Sequence, residues 1–171
     1  MEDIFNQPTE MVQIRDVSRQ QREIQRAAQL LKTGELVAFP TETVYGIGAL
    51  GLNVEAVERL YAAKNRPAGK AFSLQVANVN MIQQIAAYVP LMARKLLEKF
   101  APGPITVVLP KAAQVPELVT GGRDTVGIRI PDNPVALAVL QAVGAPLAVP
   151  SANISGHVSP KSGSDVFGDM A

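Results

Sequence analysis

The fold of this protein is organised around residues 39–48, Phe39-Pro40-Thr41-Glu42-Thr43-Val44-Tyr45-Gly46-Ile47-Gly48. The apolar run at 36–39 predicts a buried strand, which Pro40 ends because proline has no N–H to donate. The residues 41–45 that follow carry hydroxyl groups and one carboxylate. Because strand ends in open α/β sheets usually bind ligands, this loop predicts a binding site. The residue types alone fit a second interpretation equally well, namely a polar turn that caps the next element.

Length and composition predict one soluble globular domain. The chain has 171 residues, of which 47% are apolar and 18% charged, which suits one hydrophobic core better than two. No apolar run approaches the roughly 20 residues of a membrane span. Residues 1–4 lack the basic start and apolar core of a signal peptide. We therefore expect a cytoplasmic protein with no membrane partner.

The side-chain inventory excludes several kinds of active site. The chain has no cysteine, which rules out disulfides, thiolate nucleophiles and cysteine-bound metals. It has one histidine, His157, which argues against a histidine zinc site or a Ser-His-Asp triad. The net charge of +1 gives no general affinity for nucleic acid, so anion binding must come from a local cluster.

Helical and strand patterns alternate along the chain. Residues 1–17 predict an N-terminal arm or a short edge strand. Ser18 and Gln21 have capping-box spacing before the first helix, and Gly34 provides its stop. Further helices are predicted at 53–64, 81–88, 91–100, 133–144 and from 165, and strands at 36–39, 72–76, 105–109, 125–130 and 146–149. This order predicts a single α/β domain, residues 1–171, with a twisted, mixed β-sheet flanked by helices.

The glycines at 46, 48 and 51 match the dinucleotide-binding pattern G-x-G-x-x-G, but their context argues against that function. In a dinucleotide site the helix begins within the glycine run, so that its N-terminus meets the pyrophosphate. Here Asn53 predicts a helix start after the last glycine. The acidic residue expected about 20 positions later is also missing, since residues 66–71 contain neither Asp nor Glu.

Two further stretches bring polar groups to predicted strand or helix ends. Lys64, Arg66 and Lys70 could form a phosphate clamp, because arginine offers a planar fork and lysine a point charge. They could equally complement the negative end of a helix dipole. The stretch 151–156, Ser-Ala-Asn-Ile-Ser-Gly, adds hydroxyls and an amide that could line the same crevice, or could form an Asx or Ser turn.

Taken together, five stretches resemble the signatures of the threonylcarbamoyl-AMP synthase (YrdC-like) family. They are, in order, residues 39–48, Lys64-Asn-Arg-Pro67, Pro102-Gly-Pro-Ile-Thr106, Thr125-Val-Gly-Ile-Arg-Ile-Pro131 and Pro150-Ser-Ala-Asn-Ile-Ser-Gly156. The resemblance covers about residues 18–171. It implies a YrdC-like fold and a cytoplasmic nucleotidyltransferase that makes threonylcarbamoyl-AMP and pyrophosphate from L-threonine, bicarbonate and ATP. The product serves the threonylcarbamoyladenosine modification of tRNA.

The resemblance also implies roles for individual residues. The catalytic positions would be Lys64, Arg66, Ser151 and Asn153. The threonine-binding positions would be Thr43 and Arg129, since an arginine fork suits a carboxylate. The nucleotide-binding positions would be Lys64, Arg66, Lys70, Thr125, Ser151 and Asn153. No protein-bound metal is implied, because Mg2+ would arrive on the phosphates of ATP.

The chain departs from the family pattern at two places and near its end. It has Lys70-Ala71-Phe72 where the family usually has Pro-Leu, and Lys161 near its end where the family has Thr. Family members continue past the Ser-Ala-Asn motif, so we expect this chain to be shortened at its C-terminus. On that basis residues 156–171 are predicted to be a mobile tail.

Two other functions fit the same sequence. A non-catalytic module of this fold could bind RNA or tRNA through Lys64, Arg66 and Lys70, although the few aromatic residues give little support for base stacking. The carbamoyl-adenylate domain of hydrogenase-maturation proteins is related, but it belongs to a much larger chain. Possible partners under the main hypothesis are tRNA and the threonylcarbamoyl-transferase machinery.

Overall fold

The computed structural model describes residues 9–67 and 69–170 and places six strands in one sheet. The strand order across the sheet is β1-β2-β6-β3-β5-β4. The strands are β1 (Val37–Pro40), β2 (Tyr45–Leu50), β3 (Ser73–Gln75), β4 (Val107–Pro110), β5 (Thr125–Arg129) and β6 (Leu147–Ala148).

The sheet is mixed, as the sequence predicts. β3 and β5 are parallel, and each of the other neighbouring pairs is antiparallel. In the parallel pair Ser73 lies opposite Gly127 and Gln75 opposite Arg129. Side chains alternate between the two faces of a sheet, so these four residues share one face. Val126 and Ile128 point to the other face and are buried.

Helices flank the sheet and complete an apolar core. They are α1 (Gln21–Lys32), α2 (Val54–Ala63), α3 (Leu91–Phe100), α4 (Glu117–Thr120), α5 (Pro134–Val143), α6 (Gly163–Met170) and a 3-10 helix at Val79–Gln84. α1 packs on α5, and both lie against the β1–β2 end of the sheet. Within the described residues, no helix is both long and apolar enough to span a bilayer.

Most predicted helix ends are confirmed, but the first helix start is wrong, and the helix predicted at 81–88 is instead a 3-10 helix at Val79–Gln84. Asn53 accepts a hydrogen bond from the Ala56 N–H at 2.8 Å, and Asn133 caps α5 in the same way. The expected capping box at Ser18 does not form. Ser18 instead donates its hydroxyl to Asp16, and α1 begins after Gln20, whose side chain makes no capping hydrogen bond. The nearby aspartate competes successfully for the serine hydroxyl, as local side-chain hydrogen bonds often do.

Strand β2 was not predicted, and it explains the glycines at 46, 48 and 51. A Cβ on Gly46 would lie 2.5 Å from Val149 Cγ1, and one on Gly48 would lie 2.9 Å from the Phe39 ring. These glycines therefore allow close packing within the sheet. They do not open a helix, because α2 begins only after Asn53. The placement supports the rejection of a dinucleotide fingerprint.

Both ends of the described chain pack against the core. Residues 9–20 are irregular apart from a turn at 17–19 and form no edge strand, and Ile14 and Val17 pack half-buried against the core. Residues 1–8 of the predicted arm lie outside the described residues. Beyond residue 156, the Pro160 carbonyl accepts from the Tyr45 N–H at 2.9 Å, and α6 contacts β1. The mobility of this segment remains a prediction that hydrogen exchange would test, and residue 171 is not described.

Candidate functional site

Lys64 joins two of the sequence motifs. It caps the C-terminus of α2, and its ammonium donates to the main-chain carbonyl of Ser151 at 2.5 Å and to that of Asn153. Lys64 is only 1% exposed. We call this group, Lys64 with the loop at 151–155, the lysine cluster. The Lys-Asn-Arg and Ser-Ala-Asn stretches, 87 residues apart along the chain, therefore meet in space.

Burial lowers the pKa of this lysine. Two polar atoms of neighbouring residues are also buried, and they have no hydrogen-bond partner in the described chain. Burial, with the positive charge of Arg66 as a second cause, lowers the pKa of the Lys64 ammonium to about 8. An ammonium has three N–H donors, so one remains after the two carbonyls are bonded. Asn153 Oδ1 and Ser155 Oγ are buried without a hydrogen-bond partner in the described chain.

Arg66 packs against its own loop. Its guanidinium donates to the carbonyl of Lys70 at 3.0 Å and to that of Ala71 at 2.7 Å, and it lies 4.6 Å from the centre of the Phe72 ring. The Lys70 residue itself is exposed. The clamp predicted from the sequence thus contains one buried, one half-buried and one exposed cation. Lys64 is buried because α2 ends at this residue, where its ammonium meets the carbonyls of the 151–155 loop.

Arg129 holds the turn that follows β1. One guanidinium nitrogen donates to Glu42 Oε1 at 2.6 Å and to Thr43 Oγ1 at 3.1 Å. The side chains of Arg129 and Glu42 are 16% and 17% exposed, whereas Thr43 is exposed. Arg129 Nε and Glu42 Oε2 are buried and have no hydrogen-bond partner among residues 9–67 and 69–170. The ion pair therefore uses only part of each group's capacity.

Gln75 lies beside Arg129 and was missed by the sequence analysis. The register places it directly opposite Arg129, on the same face of the sheet, and it is 3% exposed. Its Oε1 is buried without a partner in the described structure. The available signal was a long polar residue between the apolar Leu74 and Val76 of the strand predicted at 72–76. We call Arg129, Glu42, Thr43 and Gln75 the arginine cluster.

The start of β2 connects the two clusters. Residues 41–44 form the turn of the arginine cluster, and the next residue, Tyr45, accepts the Ala152 N–H at 2.8 Å through its carbonyl. Thr125 is not part of the arginine cluster. It is exposed at the other end of β5, about 13 Å along the strand from Arg129. At that end of the strand Thr125 pairs with Pro110 of β4.

The acidic side chains do not gather into a metal site. Within the part of the chain that the structure describes, no group of three or more His, Asp or Glu side chains could hold a metal ion. The cations and unpartnered polar atoms of the two clusters are suited to anionic and hydrogen-bonding ligands.

Comparison with known proteins identifies the family. Residues 29–171 match the Sua5/YciO/YrdC family, which is described as "Telomere recombination". The chain belongs to this family. The resemblance and the mixed α/β fold expected from the sequence are therefore confirmed.

Similar members of the Sua5/YciO/YrdC family have a consistent name. A threonylcarbamoyl-AMP synthase from Pyrococcus abyssi is 45% identical over 147 residues, which is 86% of this chain and 43% of the relative. The Bacillus subtilis threonylcarbamoyl-AMP synthase is 41% identical over 156 residues, 91% of this chain and 45% of the relative. The crystal structure of P. abyssi Sua5 complexed with L-threonine superposes with a TM-score of 0.86 at 44% identity, covering 88% of this chain and 44% of that one. The chain therefore spans less than half the length of these relatives.

Proposed function

We propose that this chain carries the threonylcarbamoyl-AMP synthase activity, which makes threonylcarbamoyl-AMP and pyrophosphate from L-threonine, bicarbonate and ATP. The main support is the lysine cluster, in which a buried ammonium joins the Lys-Asn-Arg and Ser-Ala-Asn motifs. The names of the relatives, one of which has been crystallised with L-threonine, support the same activity.

In this proposal the lysine cluster binds the phosphates of ATP. The remaining N–H of Lys64 and the free donors of Arg66 face charge that builds up on the leaving pyrophosphate, where charge-assisted hydrogen bonds are strongest. Ser151 and Asn153 add neutral polar groups at the same place, and Lys70 and Thr125 extend the nucleotide site along the neighbouring loop. Mg2+ would arrive on ATP, and the phosphates would supply most of its ligands.

The arginine cluster would hold threonine. Arg129 is suited to the carboxylate, and Thr43 lies at the exposed edge of the cluster where a substrate could enter. Threonine and bicarbonate would form a carbamate, whose oxygen attacks the α-phosphorus of ATP while the bond to pyrophosphate breaks. Such a reaction depends on position and positive charge rather than on a protein nucleophile.

The product would serve the modification of tRNA, which places the protein in the cytoplasm with tRNA and the threonylcarbamoyl-transferase machinery as possible partners. The alternative is that the chain binds RNA without catalysis. Binding of tRNA with a steep salt dependence, together with no binding of ATP, would favour that alternative.

Pyrophosphate release tests the activity. The purified chain is incubated with ATP, Mg2+ and bicarbonate, with and without L-threonine, and the adenylate is identified by mass spectrometry. We expect pyrophosphate and threonylcarbamoyl-AMP only when threonine is present. Release that is independent of threonine, or no release at any enzyme concentration, would contradict the proposal for this chain.

A further inference from the structure

Asp169 connects α6 to the loop of the lysine cluster. It lies in the last turn of α6, and its carboxylate accepts the Ile154 N–H at 2.7 Å and pairs with the His157 ring at 2.6 Å. Its side chain is 26% exposed. Ile154 belongs to the 151–155 loop, whose carbonyls bind the Lys64 ammonium. The helix α6 is therefore attached to the same loop that holds this ammonium.

One peptide group links Asp169 with Lys64. The Ile154 N–H that donates to Asp169 and the Asn153 carbonyl that accepts from Lys64 belong to the same trans peptide bond. A trans peptide group is planar, and its N–H and C=O point in opposite directions. A carboxylate that fixes the N–H therefore also fixes the direction of the carbonyl. The charged partners at the two ends polarise the peptide group, which strengthens both hydrogen bonds.

We propose that Asp169 is a positioning residue for the lysine cluster, which holds the 151–155 loop against Lys64 and acts on ATP only through that loop. This inference rests on the proposed function, in which the lysine cluster binds the phosphates. The loop also carries Ser151 and Asn153, so its placement determines where their polar groups meet the nucleotide. Asp169 itself lies outside the five stretches that carry the family resemblance.

Asp169 also supplies a negative charge near Lys64. Burial is the main cause that lowers the Lys64 pKa, and the positive charges of Arg66 and Lys70 lower it further. The carboxylate of Asp169 acts in the opposite direction and raises this pKa. The titratable groups that act on Asp169 itself are His157 and Lys64. Loss of the Asp169 charge should therefore lower the Lys64 pKa, so that the ammonium loses its proton at a lower pH.

The test measures how ATP binding depends on pH in three variants. Dissociation constants for ATP with Mg2+ are measured by calorimetry between about pH 7 and pH 9.5, above the pKa of about 6 of a terminal phosphate. Asp169→Asn keeps an oxygen that can accept from Ile154 but loses the charge, and Asp169→Ala loses both. Asp165→Asn is the matched control, because Asp165 lies on the same helix and accepts from the N–H groups of Lys161 and Ser162 instead.

We expect the ATP affinity of the parent to weaken with a midpoint near pH 8. The midpoint of Asp169→Asn should lie about 0.5 pH unit lower, because the ammonium has lost its nearby negative charge. Asp169→Ala should in addition bind ATP about fivefold more weakly at about pH 7, because the loop has lost its hydrogen bond. Asp165→Asn should match the parent in both respects, whereas a general loosening of α6 would affect all three variants.

The other outcomes separate this inference from the proposed function. A parent that binds no ATP contradicts the proposed function itself. A parent that binds ATP, with the same midpoint in Asp169→Asn, overturns only the role of Asp169. An equal shift in Asp165→Asn would also overturn it, because the effect would then come from the stability of α6. The same holds if His157→Gln abolishes the pH dependence, since the histidine would then be the titrating group. If Asp169→Ala does not fold, the midpoint of Asp169→Asn decides the inference.

Discussion

The lysine cluster and the arginine cluster each contain a cation that the sequence resemblance predicts to bind a substrate. They differ in how many N–H donors of that cation are hydrogen-bonded within the protein. Lys64 is bonded to two main-chain carbonyls and is almost completely buried. Arg129 is held through one nitrogen, while its Nε and the Glu42 Oε2 beside it remain without partners in the described residues. The ammonium of Lys64 is therefore hydrogen-bonded mainly within the protein, whereas the guanidinium of Arg129 keeps a buried donor without a partner in the described residues.

The largest expected effect is on stability at Lys64. Lys64→Met would leave the carbonyls of Ser151 and Asn153 without this donor. We expect the free energy of unfolding in urea to fall by about 2–4 kcal/mol and ATP binding to be lost. The matched control is Lys70→Met, since Lys70 is exposed and should change stability by less than about 0.5 kcal/mol. Equal stability of the two variants would show that Lys64 has no structural role.

Arg129→Lys should affect the ligand more than the fold. Lysine keeps the charge and a bond to Glu42, but it cannot present a fork to a carboxylate. We expect threonine affinity to fall by about tenfold, with ATP affinity unchanged, in calorimetric titrations of each substrate alone. A threonine affinity equal to that of the parent would remove Arg129 from the amino-acid site.

The pH dependence of ATP binding should reveal the buried lysine. Its pKa is lowered to about 8 in the folded protein from an ordinary value of 10.5. ATP affinity should therefore weaken by a few-fold as pH rises through 8, because the ammonium loses its charge. Between about pH 8 and pH 10.5 Lys64 binds more protons in the unfolded chain than in the folded protein. The free energy of unfolding that this group contributes therefore rises with pH in this range. The matched comparison is Arg129→Lys, which should show the same pH profile for ATP.

The smallest expected effect concerns the segment after residue 156. Asp169 on α6 accepts from the Ile154 N–H at 2.7 Å and pairs with His157 at 2.6 Å, and the His157 hydrogen bond is the main cause that lowers the pKa of its carboxyl. Asp169→Asn should reduce the hydrogen-exchange protection of the Ile154 amide by a few-fold while β2 is unchanged. Protection across 156–170 as strong as in the core strands would contradict the predicted mobile tail.

Several parts of the fold could be predicted because they depend on local chemistry. The helix ends are examples. The side chains of Asn53 and Asn133 cap helix N-termini, and Gly144 adopts the left-handed backbone that ends α5. Each of these ends depends on only a few neighbouring residues. The strand at 72–76 and its parallel partner at 125–130 were recognisable from apolar runs. By contrast, β2 was hidden, because its glycines are explained only by the side chains of Phe39 and Val149 that pack against them.

The residue types of the candidate site were also recognisable, while their environments were not. The sequence alone determined that Lys64, Arg66, Ser151, Asn153, Thr43 and Arg129 stand in family motifs, and the family itself is confirmed. Only the tertiary structure decided that Lys64 is buried under the 151–155 loop and that Gln75 lies beside Arg129. The physical reason is that burial and hydrogen-bond satisfaction depend on contacts between segments distant in the chain, which residue type and spacing do not encode.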